Sequence, residues 1–207
     1  MKKLFLILLF VVFMVFSISS SLAIECYNCE DCNTKINQAS PGATITLKQD
    51  ILNAPAEGCI RFWSRQNLTF DCKSNQIVAS SRASQGGIAF NSAENIVLKN
   101  CIVKNYITGV DICLTNNSRI ENVKATDNNI GIYFGHPSYR NQIINSNFSE
   151  NDRFGVAFNL YAYPDTTFEN NRICNNPQGD IRYISNPPSL PGLTVSNNYC
   201  DQSDVSG

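Results

Sequence analysis

Between residues 95 and 176, short stretches of alternating apolar and polar residues occur three times with nearly constant spacing. The copies lead to Gly-Val-Asp-Ile at 109–112, Gly-Ile-Tyr-Phe at 131–134 and Gly-Val-Ala-Phe at 155–158. A weaker fourth copy leads to Gly179, so that the four glycines are 22, 24 and 24 residues apart. Alternation of this kind predicts strands, and a period of this length predicts a solenoid.

Apolar positions that would face the solenoid interior can be aligned from one copy to the next. The aligned residues are Leu47, Phe70, Leu98, Ile120, Ile144, Phe168 and Val195. Seven such positions imply about six full turns, and three short strands per turn account for a period near 24 residues. The two longest steps predict protruding loops at residues 73–85 and 185–191.

Residues 1–23 have the layout of a secretory signal peptide. Two lysines precede an apolar run at residues 4–16, and small residues lead to a predicted cleavage site after Ala23. The run is shorter than the roughly 20 residues that a membrane span needs. Retention of the segment as an anchor stays open as an alternative. We therefore expect an extracytoplasmic, secreted or cell-surface protein without a membrane span after cleavage.

The remaining chain divides into an N-terminal cap at residues 24–42 and a repeat domain at residues 43–207. A short helix is predicted over residues 31–39, with Asp31 accepting the first free backbone N–H groups. This helix would cover the open end of the solenoid, which otherwise exposes its interior and its unpaired strand edges.

Nine cysteines in an exported chain favour disulfides. Disulfide candidates are Cys26, Cys29, Cys32, Cys59 and Cys72. The C-x-x-C-x-x-C spacing of the first three leaves a zinc or iron site open as an alternative, although we expect neither a metal nor another cofactor. The odd total means that at least one thiol has no partner within the chain.

Composition narrows the range of partners. Without Lys2 and Lys3 the chain has 14 basic and 17 acidic residues, a formal charge of −3, which does not indicate nucleic-acid binding. Asparagine is abundant, with 27 residues, and recurs together with Ile, Val, Leu and Phe. This combination argues against a disordered chain.

The asparagine-containing copies and their glycine-led strands resemble the right-handed parallel β-helix repeat proteins of the pectin-lyase-like fold, over about residues 43–200. The resemblance implies an all-β, single-stranded right-handed parallel β-helix of about six coils with a short N-terminal capping helix. It does not imply one activity, because this fold hosts lyases, hydrolases, epimerases, phage spikes and non-catalytic surface proteins.

Asparagines at corresponding corners predict a structural ladder of side-chain amides along the solenoid axis. The predicted ladder consists of Asn100, Asn122, Asn147 and Asn171. A second corner is predicted at Asn105, Asp127, Asn151 and Asn175, where Asn and Asp tolerate left-handed backbone. Asn67, Asn116 and Asn147 also fit the glycosylation pattern, and Asn116 is the first to test.

The middle residue of each strand after the glycine should point outward. This alternation predicts one outward row, formed by Arg61, Ala89, Asp111, Tyr133, Ala157 and Arg182. Asp111, Tyr133 and His136 are the densest group able to exchange protons, and they are the catalytic candidates. Their alternative interpretation is an ordinary solvated surface.

Other features argue against catalysis. Polygalacturonase-like members of the fold use adjacent aspartates, and this chain contains no Asp-Asp pair. A second outward row, of Lys99, Glu121, Asn145 and Glu169, mixes charges and is interpreted as a solvated face. The single histidine also argues against a histidine metal centre.

Two classes of function follow. The favoured hypothesis is a non-catalytic surface β-helix that binds polysaccharide or cell-envelope glycan, or contributes to an envelope or adhesive layer. The alternative is a lyase or epimerase acting on an acidic polysaccharide. A narrower third option is a role in periplasmic copper-enzyme maturation, as for repeat proteins of similar type. Trp63, Tyr133, Tyr161 and Tyr163 are the candidate glycan-stacking residues.

Overall fold

The structure is a computed structural model that describes residues 23–81, 85–159, 165–183, 193–198 and 200. The signal peptide predicted at residues 1–23 lies outside these ranges except for Ala23. The loop predicted at 185–191, and Tyr161 and Tyr163, also lie outside them.

One helix and eighteen strands make up the described chain. Helix α1 is Cys29–Gln38, and the strands are β1 Ile24–Cys26, β2 Thr44–Leu47, β3 Ile51–Ala54, β4 Ile60–Trp63, β5 Gln66–Asp71, β6 Gln76–Ala79, β7 Gly86–Asn91, β8 Glu94–Lys99, β9 Ile102–Lys104, β10 Thr108–Cys113, β11 Arg119–Glu121, β12 Lys124–Ala125, β13 Ile130–Phe134, β14 Gln142–Ile144, β15 Phe154–Phe158, β16 Thr167–Glu169, β17 Ile181–Tyr183 and β18 Thr194–Ser196.

The strands form three parallel sheets that wind around a common axis. Sheet 1 has the order β1-β2-β5-β8-β11-β14-β16-β18, sheet 2 the order β12-β9-β6-β3, and sheet 3 the order β17-β15-β13-β10-β7-β4. Each turn of the chain contributes one strand to sheet 3, which has six strands. The expected all-β parallel solenoid of about six turns, with a short N-terminal helix, is confirmed.

Sheet 1 shows which apolar residues face the interior. The in-register positions are Ile45, Phe70, Leu98, Ile120, Ile143, Phe168 and Val195. The repeat pattern placed Leu47 and Ile144 in this column. Leu47 is two residues out of register but still faces the interior, where it is fully buried, whereas Ile144 is one residue out of register. Leu47 pairs with Cys26, and Ile144 pairs with Glu121 on the outer face. Because side chains alternate between faces, a one-residue error at a corner exchanges inside for outside.

Aromatic residues fill the interior beneath sheet 3. The rings of Phe62 and Phe90 stack at 5.0 Å, and those of Phe134 and Phe158 stack at the same distance. Tyr183 continues the second stack at 5.2 Å from Phe158. Stacks of identical side chains from successive coils are the packing expected of strands spaced about 4.8 Å apart.

Four residues of the loop predicted at 73–85 form strand β6, and residues 82–84 lie outside the described ranges. Strand β6 pairs with β3 and β9, and its Ile77 is fully buried. The alternation in Gln-Ile-Val-Ala is that of a half-buried strand, which the long step between aligned residues concealed.

The N-terminal cap is linked to the first coil by disulfides. Cys26 is bonded to Cys32, and Cys29 in α1 to Cys59 beside β4. The two remaining disulfides are Cys72–Cys101 and Cys174–Cys200. The cysteines considered as metal ligands are therefore in disulfides. All nine cysteines lie in the described residues, and Cys113 is the unpaired one.

Asn28, not Asp31, caps helix α1. The Asn28 side chain accepts a hydrogen bond from the backbone N–H of Asp31. The Asp31 carboxylate instead accepts one from the backbone N–H of Tyr27, one residue before the cap. Asn and Asp are both common near helix starts, so composition did not distinguish them.

Left-handed backbone at the corners explains much of the asparagine content. In the column that follows sheet 1, Asn100, Asn122, Asn145, Asn170 and Asn197 all have φ between 50° and 56°. The Asn122 side-chain amide donates to the carbonyl oxygen of the Asn100 side chain at 3.4 Å. Asn147 and Asn171, predicted for this ladder, are not in register with it. At the corner after sheet 2, Glu150 takes the left-handed position predicted for Asn151.

A different, buried column joins side chains to the backbone of the preceding coil. The side-chain oxygen of Asn128 accepts a hydrogen bond from the backbone N–H of Tyr106. In the same way, the side chain of Asn151 accepts from the backbone N–H of Asn128, and the side chain of Asn176 from that of Asn151, at 2.9 to 3.1 Å. Asn171 belongs to a second column of this kind and accepts from the Ser146 N–H at 2.9 Å. These amides satisfy backbone donors at corners where strand pairing is interrupted.

Candidate functional site

The outer face of sheet 3 carries the row expected from sequence. Pairing in sheet 3 places these residues in register in the order Arg61, Ala89, Asp111, Tyr133, Ala157 and Arg182. At about 4.8 Å per step the row is about 24 Å long. A second row on the same face, two residues further along each strand, begins with Trp63, Asn91 and Cys113.

A cleft lies at the N-terminal end of this face. Its volume is about 150 Å³, and it is lined by Asn33, Asn37, Arg61 and Trp63. The Trp63 side chain is 57% exposed, and the Arg61 guanidinium carbon lies 5.3 Å from the centre of the Trp63 ring. An exposed indole with a cation over it, next to two amides, is a site for a ligand with a flat apolar face and polar groups at its edge.

Helix α1 and strand β4 hold the cleft together. The Asn33 side-chain amide donates to the Cys59 carbonyl at 2.7 Å, and its side-chain oxygen accepts from the Arg61 N–H at 2.9 Å. The Arg61 guanidinium donates to the Glu57 carbonyl at 2.7 Å, which orients it over Trp63. Asn37 follows Asn33 by four residues, so both side chains lie on the same side of the helix.

The catalytic candidates lie nearer the middle of the face. Burial raises the pKa of Asp111 to about 6, and the charge of His136 opposes this shift. Tyr133 is the next residue in the row and packs against Ile130, Phe154 and Ala157 on the outer face. The structure thus brings Asp111, Tyr133 and His136 into one neighbourhood and gives Asp111 a pKa close to neutral pH.

Glycine at position 135 allows the Tyr133 ring to lie close to the backbone. A Cβ atom added at Gly135 would be 3.1 Å from Cε1 of Tyr133.

Burial also raises the pKa of the Cys113 thiol, and the charge of Asp111 contributes to this shift.

The cleft was only partly visible in the sequence. The sequence predicts Trp63 as a stacking residue and Arg61 as a member of the outward row, and the predictions include neither Asn33 nor Asn37. Their four-residue separation in a predicted helix was the available signal. The Cys29–Cys59 pairing that brings this helix to Trp63 was not deducible from spacing.

Within the described part of the chain, no three His, Cys, Asp or Glu side chains are grouped as metal ligands would be. The same residues contain no helix long and apolar enough to cross a membrane.

Residues 67–200 match the model of a family described as the right handed beta helix region. The chain belongs to this right-handed β-helix family. The match covers more than half of the chain and confirms the resemblance to proteins of the pectin-lyase-like fold. No curated protein matches the sequence of this β-helix.

Two solved structures are similar to this β-helix. An alginate lyase from Paenibacillus sp. str. FPU-7 matches with a TM-score of 0.63 and 14% identity, over 85% of this chain and 65% of the lyase. The A-module of the mannuronan C-5 epimerase AlgE6 from Azotobacter vinelandii matches with a TM-score of 0.50 and 12% identity, over 76% of this chain and 41% of the module. The chain thus spans less than two thirds of either protein, and at these identities the likeness shows the fold alone.

Proposed function

We propose that this protein binds an acidic polysaccharide on the outer face of sheet 3 and does not alter it chemically. The observation that carries the proposal is the exposed Trp63 ring beneath the Arg61 guanidinium, in a cleft lined by two asparagines. The site lies between helix α1 and strand β4, which a disulfide and the Asn33 side chain hold together, so it is formed before the ligand arrives.

Each side chain in the cleft has a role that suits a uronic acid. The apolar face of a sugar ring stacks on an indole, and amide side chains exchange hydrogen bonds with its hydroxyl groups. A guanidinium binds a carboxylate through two parallel hydrogen bonds. No carboxylate among the described residues forms an ion pair with Arg61. Its charge is therefore free for a ligand.

The rest of the face supports a chain rather than a single sugar. Arg182 is exposed at the other end of the row, and Asp111 between them carries less negative charge near neutral pH than an ordinary aspartate. An anionic chain along the row would meet cations at both ends, and its repulsion by Asp111 would weaken as the pH falls through about 6.

We place this function outside the cytoplasm. Four disulfides are typical of proteins that fold in an oxidising compartment, and the signal-like segment at residues 1–23 agrees with export. A cell-envelope or extracellular uronate polymer is the ligand class that fits both the compartment and the cleft.

Binding to an array of acidic and neutral glycans tests the proposal. We expect retention of uronate polymers, with at least tenfold weaker binding for Trp63→Ala and for Arg61→Ala. Leu52→Ala is the matched control, because Leu52 is a 61% exposed apolar residue on sheet 2. Equal binding by the three variants and the wild type would refute the assignment of the cleft.

A second candidate function is a lyase or epimerase acting on the same class of polymer. It is favoured by Asp111, which is paired with Tyr133 in the row and whose raised pKa gives, below about pH 6, a neutral carboxyl able to hydrogen-bond a sugar carboxylate. Both reactions begin with removal of the proton at C5 of the uronate, for which Tyr133 and His136 are the available acid and base groups.

Release of unsaturated uronate, followed by its absorbance, and exchange of the C5 proton with solvent distinguish the two functions. Either signal, abolished by Tyr133→Phe and by His136→Ala, would establish catalysis in place of simple binding. Binding without either signal is the outcome we expect.

A further inference from the structure

We propose that the Trp63 cleft receives the end of an acidic polysaccharide chain rather than a residue within it. This inference rests on the binding function proposed above and adds which part of the polymer is recognised.

The outward row of sheet 3 stops at helix α1. Strand β4 is the edge strand of sheet 3, and α1 packs beside it where a further strand would lie. The Asn33 side chain occupies the hydrogen-bonding positions of that absent strand, because it bonds to both the Cys59 carbonyl and the Arg61 N–H. A polymer that follows the row over Asp111 and Ala89 therefore meets α1 immediately beyond Arg61.

Helix α1 thus forms a wall at this end of the row, and the wall is held in place by bonds to the first coil. The disulfide between Cys29 and Cys59 fixes the first turn of α1 to the residue preceding β4, with a Cα–Cα distance of 4.8 Å. Ile36 of the helix is fully buried, and Arg65 donates a hydrogen bond to the Ala39 carbonyl just after the helix end. Because both ends of the helix are tied to the first coil, it does not move aside to let a chain continue.

The wall is polar where it faces the cleft. Asn37 is exposed, and its side chain has no hydrogen-bond partner among the described residues. A terminal sugar differs from an internal one by a hydroxyl group that a glycosidic bond would otherwise occupy. Asn37 is placed to form a hydrogen bond with this hydroxyl group. At the same time, Arg61 would bind the carboxylate and Trp63 would stack on the face of the sugar ring.

The cleft volume agrees with a single terminal residue. At about 150 Å³ it is well below the roughly 300–1,000 Å³ of sites that enclose drug-sized ligands. One sugar ring enters such a cleft, and the next sugars follow the outer row over Ala89 and Asp111.

The number of protein molecules bound per polymer chain tests the inference. Polymannuronate, polyguluronate and polygalacturonate would each be prepared as short, medium and long fractions, and stoichiometry would be measured by calorimetry and by sedimentation. Recognition of one end predicts one protein per chain at every length.

Several proteins on each long chain would overturn end recognition while leaving the proposed binding function in place. Absence of binding to all three polymers at every length would overturn both. The two failures are therefore distinguishable. Borohydride reduces only the sugar at the reducing end of the polymer. Loss of affinity after this treatment would show that the protein binds the reducing end, and unchanged affinity would show that it binds the other end.

A substitution in the wall gives an independent check. We expect Asn37→Ala to raise Kd for a short uronate oligomer about tenfold, with stoichiometry unchanged. Thr34→Ala is the control, since Thr34 is exposed on the same helix but does not line the cleft. Unchanged affinity in Asn37→Ala would contradict the role of the wall in recognising the terminal hydroxyl.

Discussion

The side-chain oxygen of Asn151 accepts a 3.1 Å hydrogen bond from the backbone N–H of Asn128, its counterpart one coil earlier. The Asn151 side-chain amide also donates to the Phe148 carbonyl at 2.9 Å. Asn151 is 1% exposed, so neither partner group would find water if the side chain were removed. The spacing between coils is thus fixed by side-chain bonds to the backbone as well as by strand pairing.

Asn151→Ala should lower the free energy of unfolding by about 2 to 4 kcal/mol, because it leaves a buried N–H and a buried carbonyl without partners. Urea unfolding followed by circular dichroism measures the change. Asn129→Ala is the matched control, since Asn129 lies at a neighbouring corner and its side chain makes no hydrogen bond with a described residue. A similar loss in both variants would show that the buried amide column is not a special source of stability.

Gly131→Ala should be among the most damaging single substitutions in the chain. The added Cβ would lie 2.6 Å from the Gly155 carbonyl oxygen and 2.9 Å from the Asn151 amide nitrogen, and neither group has space to move. We expect a loss of about 3 kcal/mol or more, as for overpacked cores.

Gly135→Ala is the comparison for this substitution, because its nearest obstacle is the edge of the Tyr133 ring at 3.1 Å. Thermal unfolding should show a much smaller effect there. Equal losses at positions 131 and 135 would contradict the steric explanation.

Leu114 occupies a backbone conformation that suits it poorly. It has φ of 49° and is 46% exposed, and it follows Ser64 and Ser92 at the corner after sheet 3. Left-handed backbone costs a residue with a bulky side chain roughly 1–2 kcal/mol. Leu114→Asn should therefore stabilise the protein by about 1 kcal/mol in urea unfolding.

The reverse change at an equivalent type of position provides the check on Leu114. Asn122 has φ of 52° after sheet 1, and Asn122→Leu should destabilise by a similar or larger amount, since it also loses the bond to Asn100. A stability gain in Asn122→Leu would disprove the backbone argument.

Stability should depend on pH through Asp111. Its folded pKa of about 6 exceeds the ordinary unfolded value of about 3.9, so the folded state binds the proton more tightly. The resulting stabilisation is complete below about pH 4 and is lost as the pH rises through about 6. From about pH 4 to about pH 7, the wild type should lose up to about 3 kcal/mol more than Asp111→Asn.

Urea unfolding of the two proteins at several pH values measures this difference. Parallel curves for Asp111→Asn and the wild type would show that the carboxyl is solvated and has an ordinary pKa. If the free energies of unfolding of the two proteins diverged as the pH fell, that would contradict the upward direction of the Asp111 pKa shift.

Periodicity was sufficient to predict the fold and the outward row but not every position in the coils. The glycine column of Gly109, Gly131 and Gly155 was visible because these residues lie where a Cβ would strike the next coil. Ile143 and Ile144 were confused because both are apolar and the corner length varies by a residue between coils. Local sequence contains nothing that distinguishes such adjacent residues until the strands are paired.

The structural roles of individual asparagines could not be distinguished from the sequence either. Asn122 and Asn128 look alike in sequence, yet one sits at an exposed left-handed corner and the other binds the backbone from inside. The Trp63 cleft was harder still to predict, since it requires the Cys29–Cys59 bond, and an odd set of nine cysteines allows many pairings. Contacts made by covalent links between distant segments are not encoded in periodicity.

The disulfides tie only the two ends of the rod. Three of them involve residues up to Cys101, and the fourth joins Cys174 to Cys200, so no crosslink lies wholly between positions 101 and 174. If the protein is pulled along its axis while attached to a surface polymer, the middle coils are the segment free to unwind. They would lengthen under load while the disulfide-linked segments at either end kept their shape.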